Sequence, residues 1–305
     1  MNYLDITIFL IVLFIYLHVY YHLKSSNDME IYTLDEPIKN KLEEICNIKQ
    51  PLKFNYNDKG LNTCNIHYFE TYNTKGDIKI RDTMDKNQDN QLFLPFELKE
   101  GAHVLKEDKK SRFITEQNGD FINNIECKKD FINMDKFLKP PMTLKTYHDF
   151  YAGSIGSNTP LRYSIDYRNF FYVSSGKITL KLIPPIDSTY LDEQKNYDVM
   201  EFSSPINPWN VSDEHKTNFN NVNHMDIELT QGDIIYIPAY WWYSIKYEEL
   251  SSVCVFKYRT FMNSIAIFPE LILSFFQGQN IKHKTTPSID TIMVHNEDKE
   301  DNAND

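Results

Sequence analysis

Residues 232–245 read Gly-Asp-Ile-Ile-Tyr-Ile-Pro-Ala-Tyr-Trp-Trp-Tyr-Ser-Ile, and the fold class turns on them. β-formers fill the stretch while Gly232 and Pro238 punctuate it, so it reads as strands joined by tight turns. A second stretch has the same character. It runs Thr159-Pro-Leu-Arg-Tyr-Ser-Ile-Asp-Tyr-Arg-Asn169-Phe-Phe and continues through Gly176 to Pro184-Pro185. Within it Ile178, Leu180 and Leu182 alternate with Lys177, Thr179 and Lys181, the period-two signature of a strand with one buried face.

These two segments resemble the JmjC/cupin-like 2-oxoglutarate dioxygenases, in particular the asparaginyl hydroxylase that acts on hypoxia-inducible factor. That family reads T-P-x-H-x-D, N-F-F, G-x-K and P-P in the first segment, and G-D-x-x-Y-I-P-x-Y-W-W-H in the second. The resemblance covers about residues 138–260. It implies a mainly β fold, a double-stranded β-helix (cupin or jelly-roll barrel) with flanking helices. In the family the mouth of that barrel holds Fe(II) and 2-oxoglutarate.

The family's iron needs two imidazoles and a carboxylate on one face of the metal. Aligned on Thr159-Pro160, the first histidine position holds Arg162 and the carboxylate position holds Ser164. Aligned on Tyr236-Ile237-Pro238, the second histidine position holds Tyr243. A guanidinium stays protonated and only donates, a serine is a poor neutral ligand, and a phenol would have to ionise from a pKa near 10. The lysine that anchors 2-oxoglutarate is replaced by Ile178; Lys177 is one residue away and so points to the other face. Thr159 and Asn169 match positions that line the family's pocket. The resulting candidate pocket is Thr159, Arg162, Ser164, Asp166, Asn169 and Tyr243, with no catalytic residue, metal or cofactor expected.

Three alternatives bear on that expectation. Asp166 lies two and four residues from Ser164 and Arg162, so a regular strand would put all three on one face. It could restore a carboxylate, although one residue too many precedes Asn169, which points to a bulge or longer turn. An Arg162–Asp166 ion pair filling the old metal cavity is the expected arrangement, since a buried arginine requires a counter-charge. His224-Met225-Asp226 is a literal H-x-D, but it falls just before the Gly232 turn and is expected to be solvated. His148 beside Asp149 is expected to be a surface histidine, and Trp241-Trp242 to be packing residues.

Outside the motifs, Ile6–Leu23 reads ITIFLIVLFIYLHVYYHL without an acid, lysine or arginine. Eighteen helical residues reach about 27 Å, close to the hydrocarbon thickness of a bilayer. Tyr16, Tyr20 and Tyr21 gather toward one end as an interfacial belt would. A cleaved signal peptide would need a basic start and a small-residue cleavage site, and neither is present. A buried core helix would not be apolar all round at the terminus. Lys24, Lys39, Lys41 and Lys49 follow the span, and the positive-inside rule then places the bulk of the chain in the cytosol. The expected organisation is an anchor over 1–24, a linker and short helix over 25–50, the domain over 51–287 and a disordered acidic tail over 288–305. Residues 52–128 read as strands and loops. The apolar run from Phe261 to Phe276 contains Asn263, Pro269 and Glu270 and reads as a helix packed on the domain.

The 305 residues carry 32 Lys plus Arg against 43 Asp plus Glu, a formal charge of −11. No basic cluster stands out, so a nucleic-acid partner is not expected. Four dispersed cysteines exclude a local zinc knuckle and fit a reducing compartment. The 29 asparagines against 9 glycines look like translation of an AT-rich genome. With a general likeness to cupin-like proteins of large DNA viruses, this gives a viral origin as the expectation. The expected function is a membrane-anchored, non-catalytic binding or structural module, with a protein or a small carboxylate as its partner in the barrel mouth. The alternative is an Fe(II)/2-oxoglutarate hydroxylase with a rearranged metal site.

Overall fold

A computed structural model of the chain describes residues 3–72, 74–84, 93–197 and 199–278. The expected acidic tail lies outside them. The chain opens with α1 (Tyr3–Leu23), β1 (Tyr32–Leu34), α2 (Lys39–Ile48) and β2 (Leu52–Asn55). Then come α3 (Lys59–Asn62), α4 (Ile66–Thr71), β3 (Asp77–Asp82), β4 (Leu94–Glu97), α5 (Leu98–Glu107), β5 (Phe113–Thr115), α6 (Gly119–Asn124) and α7 (Lys128–Leu138). The next strands are β6 (Thr143–Gly153), β7 (Arg162–Tyr163), β8 (Arg168–Ser175), β9 (Lys177–Ile183), β10 (Gln194–Asn196) and β11 (Glu201–Ser203). After α8 (Asp213–Phe219) follow β12 (Met225–Thr230), β13 (Asp233–Pro238), β14 (Trp242–Tyr247) and β15 (Ser251–Thr260), then α9 (Phe261–Ala266) and α10 (Phe268–Gly278).

Two facing antiparallel sheets make the barrel. One runs β13-β8-β15-β6 and the other β7-β14-β9-β12. Strands alternate between the sheets from β6 to β9 and again from β12 to β15, with β9 and β12 paired in one sheet, which is the winding of a double-stranded β-helix. β1 and β2 extend the first sheet at one edge, and β5, β3 and β4 extend it at the other. The alternation legible in the sequence is what closes the barrel. Ile178, Leu180 and Leu182 of β9 meet Phe171 and Val173 of β8, Val253 and Val255 of β15, and Ile245 and Tyr247 of β14 in one core. The other face of the first sheet is buried too. Phe170, Tyr172, Tyr236, Phe256 and Tyr258 pack under the helices, with Leu42 and Cys46 of α2 and Phe131 of α7. A sheet covered on both faces buries nearly every position of its strands, and β8, β13 and β15 show that pattern. Gly176 takes φ +78° at the β8–β9 turn, a conformation that strains any side chain.

Three sequence expectations need correction. Residues 52–128 hold α3 to α6 as well as strands. The Asn/Asp clusters that read as loops are helix caps: Asp58 accepts from the Leu61 amide and Asn65 from the Tyr68 amide. Residues 25–50 contain the expected helix, but also β1, which pairs in parallel with β2. That stretch is therefore part of the folded unit. The apolar run after β15 forms two helices, of which α9 packs on the domain as expected while α10 leaves its phenylalanines exposed.

Candidate functional site

β7 ends after Tyr163 because Ser164 begins a turn, its hydroxyl accepting from the Asp166 amide at 3.2 Å. Arg162 alone of the three residues Arg162, Ser164 and Asp166 stays on the strand, and it points into the barrel. There it donates a bidentate pair of hydrogen bonds to Glu116, one of them at 2.9 Å. Glu201 lies 3.7 Å from the same guanidinium and accepts from Arg81 at 3.1 Å. Two arginines and two glutamates thus form one buried, charge-balanced lattice. The Arg162 guanidinium also sits over the rings of Tyr151 and Tyr243, at 5.5 and 5.7 Å.

The expected Arg162–Asp166 pair is not formed. Asp166 instead accepts from Arg259 of β15 at 2.8 Å. The regular-strand premise fails at Ser164, and the turn carries the aspartate across to β15. A cavity of about 160 Å³ remains between the two ion-pair systems. Its lining includes Arg162, Ser164, Asp166 and Tyr243 of the expected pocket, joined by Asp149, Tyr151, Lys257 and Arg259. Thr159 and Asn169 do not line it. Thr159 is fully buried and accepts from the Ile245 amide, while Asn169 donates to the carbonyls of Asp166 and Ile237. Both serve as struts between strands.

Electrostatics distinguish the acids. Burial pushes the Asp149 carboxyl up to about 6, against the pull of Lys257 and of the amides of Phe150 and Asn118 that it accepts from. Burial acts on Glu201 in the same direction, but the guanidinium groups of Arg162 and Arg81 outweigh it and hold Glu201 below its usual range. Lys257 makes no salt bridge among the described residues, and it faces Asp149 from β15. Nε of Arg162 is buried without a hydrogen-bond partner among them.

A family model described as a cupin-like domain matches residues 30–263. The chain belongs to the cupin-like domain family. No curated protein matches it. The match starts two residues before β1, so the cupin-like unit takes in the stretch expected as a linker.

The remaining candidates are spread over this cupin-like domain. Ile178 is fully buried in the barrel, and Lys177 points outward to Glu228 at 2.8 Å. His224 is exposed and Asp226 pairs with Lys181, so the H-x-D residues point away from the mouth. His148 is not a surface residue: it is half-buried, 3.0 Å from Asp135 and packed on Phe131 and Phe256. The reason is that β6 is covered on that face by α7. Trp241 lies in the barrel core, and Trp242 packs outside it and donates to Ser188.

Sequence reading missed Glu116, Arg81, Glu201, Lys257 and Arg259. For β15 a signal existed. Val253, Val255, Lys257 and Arg259 share one face, so its inner row turns from apolar to basic toward the mouth. Glu116 follows β5, a three-residue strand too short to show a period.

Proposed function

We propose that this protein is a membrane-anchored, non-catalytic member of the cupin-like family whose barrel mouth binds a partner without iron or 2-oxoglutarate. The observation that carries this reading is the bidentate Arg162–Glu116 pair at the position where the family's first histidine would stand. A guanidinium there excludes a divalent cation by charge and offers it no lone pair. The free groups nearby point the same way: Lys257 and Nε of Arg162 are donors and suit an acceptor such as a small carboxylate. Ile178 puts an apolar side chain at the position where the family's lysine would anchor a dicarboxylate. The spacing of the punctuation residues supports descent from a 2-oxoglutarate hydroxylase, and the composition supports a large DNA virus as the source. The anchor is α1, 21 residues long and apolar enough to cross a bilayer. Its foot is held to the domain: Lys49 donates to the carbonyls of Tyr21 and Lys24, and Tyr21 donates to Asn47. A helix so attached is expected to remain on the mature chain.

Metal analysis of the detergent-solubilised full chain, purified anaerobically with Fe(II) and 2-oxoglutarate added, tests the reading. Less than about a tenth of an equivalent of iron per chain is expected from a site with at most one free carboxylate. One equivalent of iron, lost in Asp166→Asn, would establish the rearranged hydroxylase instead.

A further inference from the structure

α10 is eleven residues long, about 16 Å, too short to cross a bilayer. It nevertheless leaves Phe268, Phe275 and Phe276 at 58%, 64% and 65% exposure. Its single charged residue, Glu270, is half-buried. A water-facing helix does not ordinarily present such a surface. Its place in the fold gives the reason. α9 packs against α1, and α10 continues from α9 through the bond from the Leu271 amide to the Ile267 carbonyl. Beside α9, the Phe261 amide donates to Met142, and Met142 and Leu144 are 73% and 62% exposed. Exposed Lys24, Lys139 and Lys145 flank the same region, in a chain that is otherwise acidic.

We propose that α10 lies flat in the headgroup layer of the membrane that α1 enters, with Met142 and Leu144 dipping beside it and the lysines meeting anionic headgroups. This rests on the reading of α1 as a membrane span. Apolar side chains on a short helix next to a span, rimmed by lysine, are what an interfacial helix requires. A second attachment point stops the domain from swinging about the α1 foot. It also fixes which face of the barrel looks at the bilayer.

The test uses the full chain reconstituted in vesicles of phosphatidylcholine with a quarter phosphatidylserine. Ile11→Cys, Phe275→Cys and Asn220→Cys variants are each labelled with an environment-sensitive dye. The four native cysteines are buried, so the dye goes to the introduced thiol. Quenching by lipids carrying a nitroxide near the headgroup or deep in the chain then reports depth. An interfacial helix should lose about half its fluorescence at position 275 to the shallow quencher, and less to the deep one. Position 11 should answer chiefly to the deep quencher and position 220 to neither. Quenching at 11 without quenching at 275 overturns the proposal and leaves the anchor standing. Quenching at neither overturns both. A blue-shifted but unquenched dye at 275 would mean that protein, a second copy or another chain, covers α10, and that also overturns it.

Discussion

Arg162 and Glu116 hold each other's charge inside the barrel. Both are buried, and removing one leaves the other only a longer contact, Arg162 with Glu201 at 3.7 Å and Glu116 with Arg81 at 3.9 Å. Glu116→Gln should therefore cost about 3–5 kcal/mol, the usual cost of stranding one member of a buried pair. Replacing both, as Arg162→Met with Glu116→Leu, should cost far less than the two single changes added together. Thermal denaturation of the four proteins in detergent measures the coupling, and additive losses would mean that the pair is not the unit described. Asp149 supplies a pH signature. Its folded pKa, about 6, lies above that of an unfolded aspartate, so the native state holds the proton more tightly between about pH 4 and 6. This residue's contribution thus falls as pH rises through that window. Asp149→Asn should flatten that part of the stability profile, and carbon NMR of the wild-type carboxyl should titrate near 6. A midpoint near 4 would remove the basis for the expectation. Ile178→Lys would put an ammonium among Leu180, Leu229 and Val253. The melting temperature should fall clearly, because these apolar neighbours offer the charge no partner. An unchanged melting temperature would show that position 178 reaches water.

Strands β8, β9, β13 and β14 were legible because β-formers fill those stretches and glycine or proline punctuates them, and β9 adds the strand period. β14 also shows how little of the packing was legible. Tyr247 fills the closed end of the barrel against Gly153 of β6, where an added Cβ would sit 2.2 Å from its ring. Neither residue stood out in the sequence, since a glycine that makes room for a ring 94 residues away leaves no local mark. Gly153→Ala should cost about 1–3 kcal/mol by overpacking, and Tyr247→Leu in the same chain should recover part of that loss. Equal losses with and without Tyr247→Leu would contradict the contact. The candidate site was legible to the same degree. The replaced positions Arg162, Ser164 and Tyr243 could be read from motif spacing, yet their partners could not. Glu116, Glu201 and Arg259 arrive from segments far along the chain, and the nearest acid in sequence, Asp166, is not the acid nearest Arg162 in space.

The chain has two attachments to consider, the apolar helix and the barrel it carries. α1 is about 32 Å long at 1.5 Å per residue, enough to span the hydrocarbon core. A signal sequence would satisfy the same length and composition, but it would leave the foot contacts without a partner after cleavage. Lys49 would lose the carbonyls of Tyr21 and Lys24, and Tyr167 would lose the ring of His22. Removing the helix therefore exposes a lysine that burial has driven down to about 8, together with the aromatic bed around it. The expected outcome is that the full chain stays in the pellet after carbonate extraction and that mass spectrometry of its N-terminal peptide recovers residues 1–24. Recovery in the supernatant, or a first residue beyond 23, would make α1 a leader. The orientation is a separate measurement. Lysines after the span favour a cytosolic domain, so protease added to intact cells should spare the cupin-like unit, and digestion of the barrel from outside would reverse the assignment.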